Sequence, residues 1–367
     1  MCSRNSSPRR ASAVIVCLLA VALSASAQAQ LLSEGPKDPT VGANNACVVG
    51  ASWFPPGDAV SSNDLYAQVS PAGSVSQCLV TSNYGFNIPS PAEIKGIEVS
   101  IERHTSMGVG MLVQDSSVKI VKGGVITGSE HADLLVDWPT TDAVKTYGSN
   151  SDLWGTAWTP ADINDPGFGA SLSVVDTGNT ANVDVIQIKV FYDLCASAPA
   201  VGCRTALKSI FIVKDKGADS PKDKMIWKWI KGQSTQQADF GNPTVAVTGA
   251  TNALCVYANN VLLGEALVGP SSSLWAPITT KGYKYKDKAG SQSGITKIVQ
   301  KGSAPMQDKA KILVKGKGAG LPDIVPDLTL NVDVQLVNSE SGLCWTSTFD
   351  SGDVIKNEMG FFKAKAQ

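Results

Sequence analysis

The chain has 367 residues, of which 43% are hydrophobic, 17% are charged and 7% are aromatic, and its formal net charge is −1. This apolar content excludes a disordered chain, and the lack of a Gly-X-Y period excludes collagen. Low charge together with abundant Gly, Ser, Thr and Val favours an all-β protein with many turns over a helical bundle. The length indicates two domains, and the two histidines leave few places for chemistry that depends on imidazole.

The first 30 residues have the composition of a secretory signal peptide. Arg4, Arg9 and Arg10 give a basic start, and the apolar run Ala11–Leu23 is too short to span a bilayer. Small residues with A-x-A cleavage motifs follow before residue 31. We therefore expect a secreted protein at an extracellular, periplasmic or outer-surface location, with no membrane insertion after cleavage. The adjacent arginines leave twin-arginine export as an alternative.

Cysteine use agrees with export. Two of the eight cysteines lie in the predicted signal peptide, and an even number in an exported chain favours disulfide bonds. Zinc is disfavoured because no C-x-x-C motif occurs and no histidine is near a cysteine. The simplest pairing joins sequence neighbours, and buried free thiols are the alternative. This pairing is Cys47 with Cys78, Cys195 with Cys203, and Cys255 with Cys344.

The first half of the remaining chain has the alternation of β-strands. Ile97, Val99 and Ile101 alternate with polar residues, and residues 183–192 follow the same rule. Such runs, separated by Gly, Pro and Asn clusters, predict antiparallel sheets with one hydrated face that pack in pairs.

One short helix and one candidate metal site are predicted in a Gly/Pro-rich loop. Thr159 and Pro160 are typical of a helix start, and nearby glycines limit the helix to a single turn. Asp162, Asn164 and Asp165 cluster in the same loop, and their oxygens suit calcium. Helix capping explains Asp162 without an ion, so both interpretations stay open.

A Gly-, Ala- and Pro-containing segment at residues 195–204 predicts a linker between a domain at 31–194 and a domain at 205–367. Residues 31–197 contain 7 Lys/Arg and 18 Asp/Glu, whereas residues 198–367 contain 21 and 14. An acidic domain therefore precedes a basic one. Either the two halves dock on each other, or the basic half faces an acidic polysaccharide or a cell surface.

The clearest alternation in the chain lies in the second half and predicts one strand over residues 328–336. Trp227 and Trp229 share one face of another strand and are expected in the core. The densest basic stretch, 281–317, lacks the Arg-rich aromatic motifs of nucleic-acid binding, so we expect no nucleic-acid partner. Further strands are predicted at 207–214, 225–231, 254–258, 310–315 and 343–349.

The first half also carries a series of motifs in a fixed order. They include D-L-Y-A at 64–67, N-Y-G-F-N-I-P at 83–89, I-K-G-I-E-V-S-I-E-R at 94–103 and S-D-L-W-G-T-A-W-T-P-A-D-I-N at 151–164. With this series, most of residues 48–193 resembles a β-sandwich module of bacterial secreted and phage-associated proteins. That module often stands beside binding or adhesion modules, and the resemblance implies no catalytic residues.

Shorter motifs mark the second half. They are L-K-S-I-F-I-V-K-D at 207–215, G-Y-K-Y-K-D-K at 282–288, C-W-T-S-T-F at 344–349 and F-F-K-A-K-A at 361–366. With these motifs the second half resembles an exported bacterial domain of unassigned activity. The resemblance implies another β-sandwich.

Catalytic arrangements are disfavoured by the spacing of their residues. Ser129, His131, Asp133 and Asp137 are close in sequence, but no G-x-S-x-G motif accompanies them. Strand alternation would place the first three too far apart for a proton relay. His131 is therefore expected at the surface, and His104 in a turn. Acidic residues in the first half alternate with core residues, which is typical of a hydrated sheet face rather than of a glycosidase pair.

Trp53, Tyr84 and Trp138 are the candidate ligand-binding residues. They lie in loops or at strand ends, where aromatic rings can stack on sugars. Packing in the core is the competing interpretation.

The predicted architecture is all-β, with two consecutive antiparallel, jelly-roll-like β-sandwich domains after a signal peptide. We expect a secreted, non-catalytic binding or surface protein that recognises a carbohydrate or envelope polymer, with no cofactor other than a calcium ion. The alternatives are a hydrolase acting on extracellular polymers and a purely structural envelope or matrix component.

Overall fold

The structure is a computed structural model that describes residues 31–106 and 112–367. The predicted signal peptide lies outside the described residues. The all-β prediction is confirmed, because the described elements are antiparallel strands apart from a few short helical turns. The turns are α1 (Pro160–Asn164) and two 3₁₀ turns, Pro56–Ala59 and Ala238–Phe240.

Strands of the first half form two five-stranded sheets, one ordered β1-β10-β5-β8 with β3 beside β10, and the other ordered β2-β4-β9-β6-β7. These strands are β1 (Leu32–Lys37), β2 (Val41–Asn45), β3 (Ala67–Val69), β4 (Cys78–Ser82), β5 (Glu93–Thr105), β6 (Val113–Lys122), β7 (Val125–Thr127), β8 (Ala143–Ser149), β9 (Gly169–Asp176) and β10 (Ala181–Asp193).

Strands of the second half form an eight-stranded sheet ordered β15-β16-β17-β18-β12-β11-β22-β21 and a four-stranded sheet ordered β14-β13-β19-β20. These strands are β11 (Ala206–Lys214), β12 (Lys224–Gly232), β13 (Asn252–Ala258), β14 (Val261–Val268), β15 (Trp275–Pro277), β16 (Gly282–Lys286), β17 (Ile295–Lys301), β18 (Ala310–Lys317), β19 (Val332–Asn338), β20 (Cys344–Phe349), β21 (Val354–Glu358) and β22 (Phe361–Ala366).

In the first half, the period-two pattern places the apolar residues as predicted. Ile97, Val99 and Ile101 of β5 are buried and share one core with Val118 of β6 and Leu172 of β9. The two five-stranded sheets therefore pack face to face. The predicted helical turn is also present, with the Thr159 side chain accepting a hydrogen bond from the backbone N–H of Asp162.

The second half has its own core between its two sheets. Trp227 and Trp229 of β12 are fully buried and pack with Trp345 of β20. The Trp227 indole donates to the Ser347 hydroxyl at 3.0 Å, and the Trp229 indole donates to the Thr346 carbonyl at 3.1 Å. These bonds satisfy the indole N–H groups and join the eight-stranded sheet to the four-stranded sheet.

Two strand predictions were wrong at their ends. The strand predicted at 328–336 begins only at Val332, because neighbouring β20 ends at Phe349 and β13 ends at Ala258, which leaves residues 328–331 without a ladder partner. The backbone of Leu328 is bonded instead to the Asn357 side chain. In the first half, β5 continues to Thr105, so His104 lies within a strand and not in a turn.

Strand β13 is buried on both faces. Leu254 and Val256 point into the core of the second half. Cys255 and Tyr257 point the other way and belong to the continuous core that contains Leu194 and most of the first half. The four-stranded sheet therefore lies between the eight-stranded sheet and the first half.

The predicted linker 195–204 is held against this outer face of the four-stranded sheet. Two disulfide bonds, Cys195–Cys255 and Cys203–Cys344, attach it. Between them, the Gln335 side chain accepts from the Ala200 backbone N–H at 2.9 Å and donates to the Ala200 carbonyl at 2.8 Å. The connection between the halves is therefore fixed to the second half over most of its length.

All six cysteines of the described residues form disulfide bonds, and Cys47 is paired with Cys78 as predicted. The predicted pairs Cys195–Cys203 and Cys255–Cys344 were wrong. Pairing by sequence proximity fails here because the linker runs across the sheet, so each linker cysteine meets a strand cysteine rather than its neighbour in sequence.

Peptide mapping without reduction tests this pairing. We expect cross-linked peptides that join Cys195 to Cys255 and Cys203 to Cys344, and a peptide joining Cys195 to Cys203 would contradict the fold of the linker.

Removal of one linker disulfide tests its contribution to stability. In Cys195→Ala/Cys255→Ala we expect the free energy of unfolding to fall by about 2–4 kcal/mol, because a cross-link spanning 60 residues restricts the unfolded chain. Urea unfolding followed by tryptophan fluorescence measures it. The matched control, Cys47→Ala/Cys78→Ala, leaves the linker bonds intact. An unchanged urea midpoint in the linker variant would refute the pairing of Cys195 with Cys255.

Candidate functional site

The aromatic residues that the sequence offered for sugar stacking are buried. Trp53, Tyr84 and Trp138 are 1%, 5% and 3% exposed. Their polar atoms bond within the protein: the Trp53 indole to the Gln77 carbonyl, the Tyr84 hydroxyl to the Ile186 carbonyl, and the Trp138 indole to Asp115. These rings therefore present no face on which a sugar could stack.

The candidate calcium ligands point at different protein partners. Asp162 accepts from the backbone and hydroxyl of Thr159 and pairs with Lys122 at 3.0 Å. Asn164 bonds both ways to the backbone of Ile88, and Asp165 accepts from the Gly167 N–H. The pKa of Asp162 is lowered: burial opposes the shift, and the bonds from Thr159 and Lys122 outweigh it. Across residues 31–106 and 112–367, no group of three or more His, Cys, Asp or Glu side chains is placed to hold a metal ion.

His131 does not join Ser129 and Asp133 on a strand, because residues 128–137 form a loop. Its ring stacks on Trp154 at 4.0 Å between centroids, and its Nε2 lies 2.6 Å from Asp152. Its Nδ1 lies 3.2 Å from the Ser129 carbonyl. Both ring nitrogens are therefore engaged within the protein, and neither contacts a serine hydroxyl.

The first half contains a buried charged cluster that was not predicted from the sequence. Arg103 and Asp115 form an ion pair inside the first half, and both are almost fully buried. Asp115 also accepts from the Trp138 indole at 2.9 Å and the Tyr147 hydroxyl at 2.8 Å. Burial, followed by the charge of Asp115, raises the pKa of Tyr147. Arg103 continues the alternation of the core-facing residues of β5, which is the signal that could have revealed it. A bulge between Asp115 and Ser117 puts Asp115 out of phase with the later core residues of β6, so alternation gives no signal there.

Lysine dominates the outward face of the eight-stranded sheet. The inward positions of β12 and β18 carry buried residues such as Trp227 and Ile312, while the alternate positions carry lysine or aliphatic residues. Seven of the eight strands contribute to this surface, which we call the lysine face. Its lysines are Lys208, Lys214, Lys224, Lys228, Lys284, Lys286, Lys297, Lys301, Lys311, Lys315, Lys317, Lys356, Lys363 and Lys365.

The strand register places many of these lysines directly opposite each other. Lys286, Lys297 and Lys315 form one row across three neighbouring strands, with about 4.8 Å between strands. The other opposed pairs are Lys301 with Lys311, Lys224 with Lys317, Lys224 with Lys214, and Lys356 with Lys363. Opposed like charges destabilise a sheet, so this surface is built against local electrostatic preference.

Few negative charges balance the lysine face. Among the described residues, its only ion pair joins Lys356 to Glu358 at 2.8 Å. Half-buried aliphatic residues such as Ile212, Ile226 and Leu313 lie between the lysines, where lysine stems can cover them while the ammonium groups stay in water.

The position of the lysine face separates it from the acidic half. The four-stranded sheet lies between the eight-stranded sheet and the first half, so the lysine face is directed away from the acidic surface. Docking of the two halves, which the sequence left open, does occur, but it does not neutralise this face.

A cavity of about 880 Å³ opens where β16 begins and β17 ends, next to the lysine face. Its wall includes Lys281, Lys301 and Lys309, and Lys301 also belongs to the lysine face. Tyr283 lines the cavity, and its pKa is raised by burial and by the charge of Glu340. None of the lining residues carries a carboxylate side chain.

Comparisons with protein-family models, with curated proteins and with solved structures gave no match to this chain. In the described part of the chain, no helix has the length and apolar character needed to cross a membrane.

Replacement of the buried arginine tests the charged cluster. In Arg103→Ala we expect the free energy of unfolding to fall by about 3–5 kcal/mol, because Asp115 is left as an uncompensated buried charge. The control Arg103→Lys keeps a positive charge beside Asp115 and leaves the bonds from Trp138 and Tyr147 in place, so it should cost clearly less. Urea unfolding measures both variants, and equal losses would show that the ion pair is not the cause.

Proposed function

We propose that this protein is an exported, non-catalytic binding protein that attaches to an anionic polysaccharide of the cell envelope or its surroundings through the lysine face. The observation that carries this proposal is the array of fourteen lysines on one sheet surface, of which only Lys356 forms an ion pair among the described residues.

The extent of the lysine face favours a polymer over a small molecule. From β16 to β21 it crosses seven strands, which is about 30 Å at the usual strand spacing. Small ligands are enclosed by concave pockets, whereas an open sheet surface offers many equivalent contacts. A partner with repeated negative charges can use many of these lysines at once.

The choice of lysine indicates how the polymer is held. Lysine is a flexible point charge, whereas arginine forms planar two-bond contacts with defined geometry. All the cations of this face are lysines. Binding to the face should therefore depend mainly on charge density and ionic strength, with little demand on the orientation of each anionic group.

Export supports a polysaccharide rather than a nucleic acid as the polymer. The chain begins with a segment typical of secretory signal peptides, and three disulfide bonds are typical of proteins outside the reducing cytosol. In addition, Phe361 on the lysine face is flanked by Lys214 and Lys356 at 5.2 and 5.5 Å, so it does not offer the open stacking surface that nucleic-acid bases use.

A row of the lysine face provides the test. The purified, disulfide-bonded protein should bind polygalacturonate and heparin but not neutral dextran. Its affinity for both anionic polymers should fall as the salt concentration is raised from about 50 to about 300 mM, because the added ions screen the lysines. In Lys286→Gln/Lys297→Gln/Lys315→Gln we expect about fivefold or more weaker binding, because three adjacent charges are lost. Biolayer interferometry on immobilised polymer measures it.

The matched control is Lys216→Gln/Lys222→Gln/Lys288→Gln, which removes the same charge from exposed loop positions outside the lysine face. Its affinity should stay within about twofold of the original protein. Equal losses in both variants would refute a specific role for the face. Stronger binding to double-stranded DNA than to either polysaccharide at the same salt would refute the proposed partner class.

A further inference from the structure

The cavity beside the lysine face has a wall that is attached to neighbouring segments by backbone hydrogen bonds. Its outer wall is the loop at residues 302–309, which is tied back by bonds from Gly302 N–H to the Lys281 carbonyl at 2.6 Å and from Ser303 N–H to the Thr235 carbonyl at 2.8 Å. Within the loop, the Ser303 hydroxyl donates to the Gln307 carbonyl. A ligand would therefore meet a preformed recess, and little ordering of the chain would oppose binding.

The side chains that line this recess are donors suited to an anion on a hydroxylated ring. Three ammonium groups come from Lys281, Lys301 and Lys309, none of which has an ion-pair partner among the salt bridges of the described residues. Amide side chains come from Gln236 and Gln237, and the Gln237 amide nitrogen also donates to the Thr279 and Gly282 carbonyls at 3.4 Å. Ammonium groups favour carboxylate, sulfate or phosphate oxygens, and amides exchange hydrogen bonds with hydroxyl groups in both directions.

Two carboxylates adjoin the lining residues in sequence and a third acts on Tyr283, and each of them is bonded to another group. Asp308 accepts from the Ser234 N–H at 3.0 Å, and Asp239 pairs with Arg204 at 2.6 Å. Glu340, whose charge acts on Tyr283, accepts from the Asn242 N–H at 2.7 Å. Among the described residues, none of these carboxylates forms an ion pair with Lys281, Lys301 or Lys309.

The recess is also continuous with the lysine face. Lys301 lines the recess and stands opposite Lys311 in the sheet. A polymer that lies across the lysine face can therefore place its end, or a side branch, in the recess without leaving a positively charged surface. The volume, about 880 Å³, is in the range of pockets that take drug-sized ligands, so one sugar residue fits with room for water or for the neighbouring residue of the polymer.

From this geometry we infer that the recess is a subsite for one acidic sugar residue of the polymer. This inference rests on the proposed function and adds a division of roles to it. The lysine face supplies affinity that depends on charge density, and the recess supplies selection for a sugar that carries an anionic group.

Monosaccharides test the subsite separately from the polymer. Isothermal titration calorimetry with glucuronate, with glucose 6-phosphate and with glucose should give binding of one or both anionic sugars at one site per chain and none of glucose. A carboxylate preference and a phosphate preference are distinguished by the first two ligands. Failure of both anionic sugars to bind, while polygalacturonate or heparin still binds, would overturn the subsite and leave the proposed function standing.

Two variants with exposed substitutions separate the two surfaces. Lys281→Gln/Lys309→Gln changes the recess without touching the lysine face, and we expect at least about tenfold weaker binding of the anionic monosaccharide. The control Lys286→Gln/Lys297→Gln/Lys315→Gln changes the face without touching the recess, and it should keep its monosaccharide affinity. Unchanged monosaccharide binding in the recess variant, with an unchanged thermal midpoint, would refute the subsite. Absence of polymer binding by the original protein would refute the proposed function itself.

Discussion

The inward packing of the eight-stranded sheet makes its outward surface possible. Trp227, Trp229 and Phe362 are fully buried against the four-stranded sheet, and fully burying one large apolar side chain contributes about 1.5–3 kcal/mol. Several such side chains outweigh the repulsion between opposed lysines, which water and salt screen strongly at an exposed surface. The sheet can therefore display a charged array that no local preference would select.

The linker determines on which side of the second half the acidic half is attached. Because two disulfide bonds and Gln335 hold the linker against the outer face of the four-stranded sheet, the acidic half is attached on the side opposite to the lysine face. The nearly neutral chain is thus a molecule with separated charge. An anionic polymer can approach the lysine face while the acidic half stays at a distance, which reduces its electrostatic repulsion of the polymer.

Much of the strand content was predictable because alternation is a local signal. Residues 97–102 lie within β5, residues 183–192 lie within β10, and the Thr159–Pro160 helix start appears as α1. The predictions failed where residues that are distant in sequence determine strand pairing or burial. Residues 328–331 alternate well but lack a strand partner, and Trp53 appears in a loop-like sequence yet lies in the core. Burial and ladder pairing depend on parts of the chain that are distant in sequence.

By itself the sequence determined the β class, the expectation that the cysteines pair and the opposite charges of the two halves, because composition and period-two patterning are properties of short stretches. Only the tertiary structure decided which lysines stand side by side, which cysteines pair and which charged residues enter the core. Lys286, Lys297 and Lys315 lie on three separate strands, and only the order and register of the sheet bring them into one row. The candidate site is therefore a product of strand pairing, which no single segment of the chain encodes.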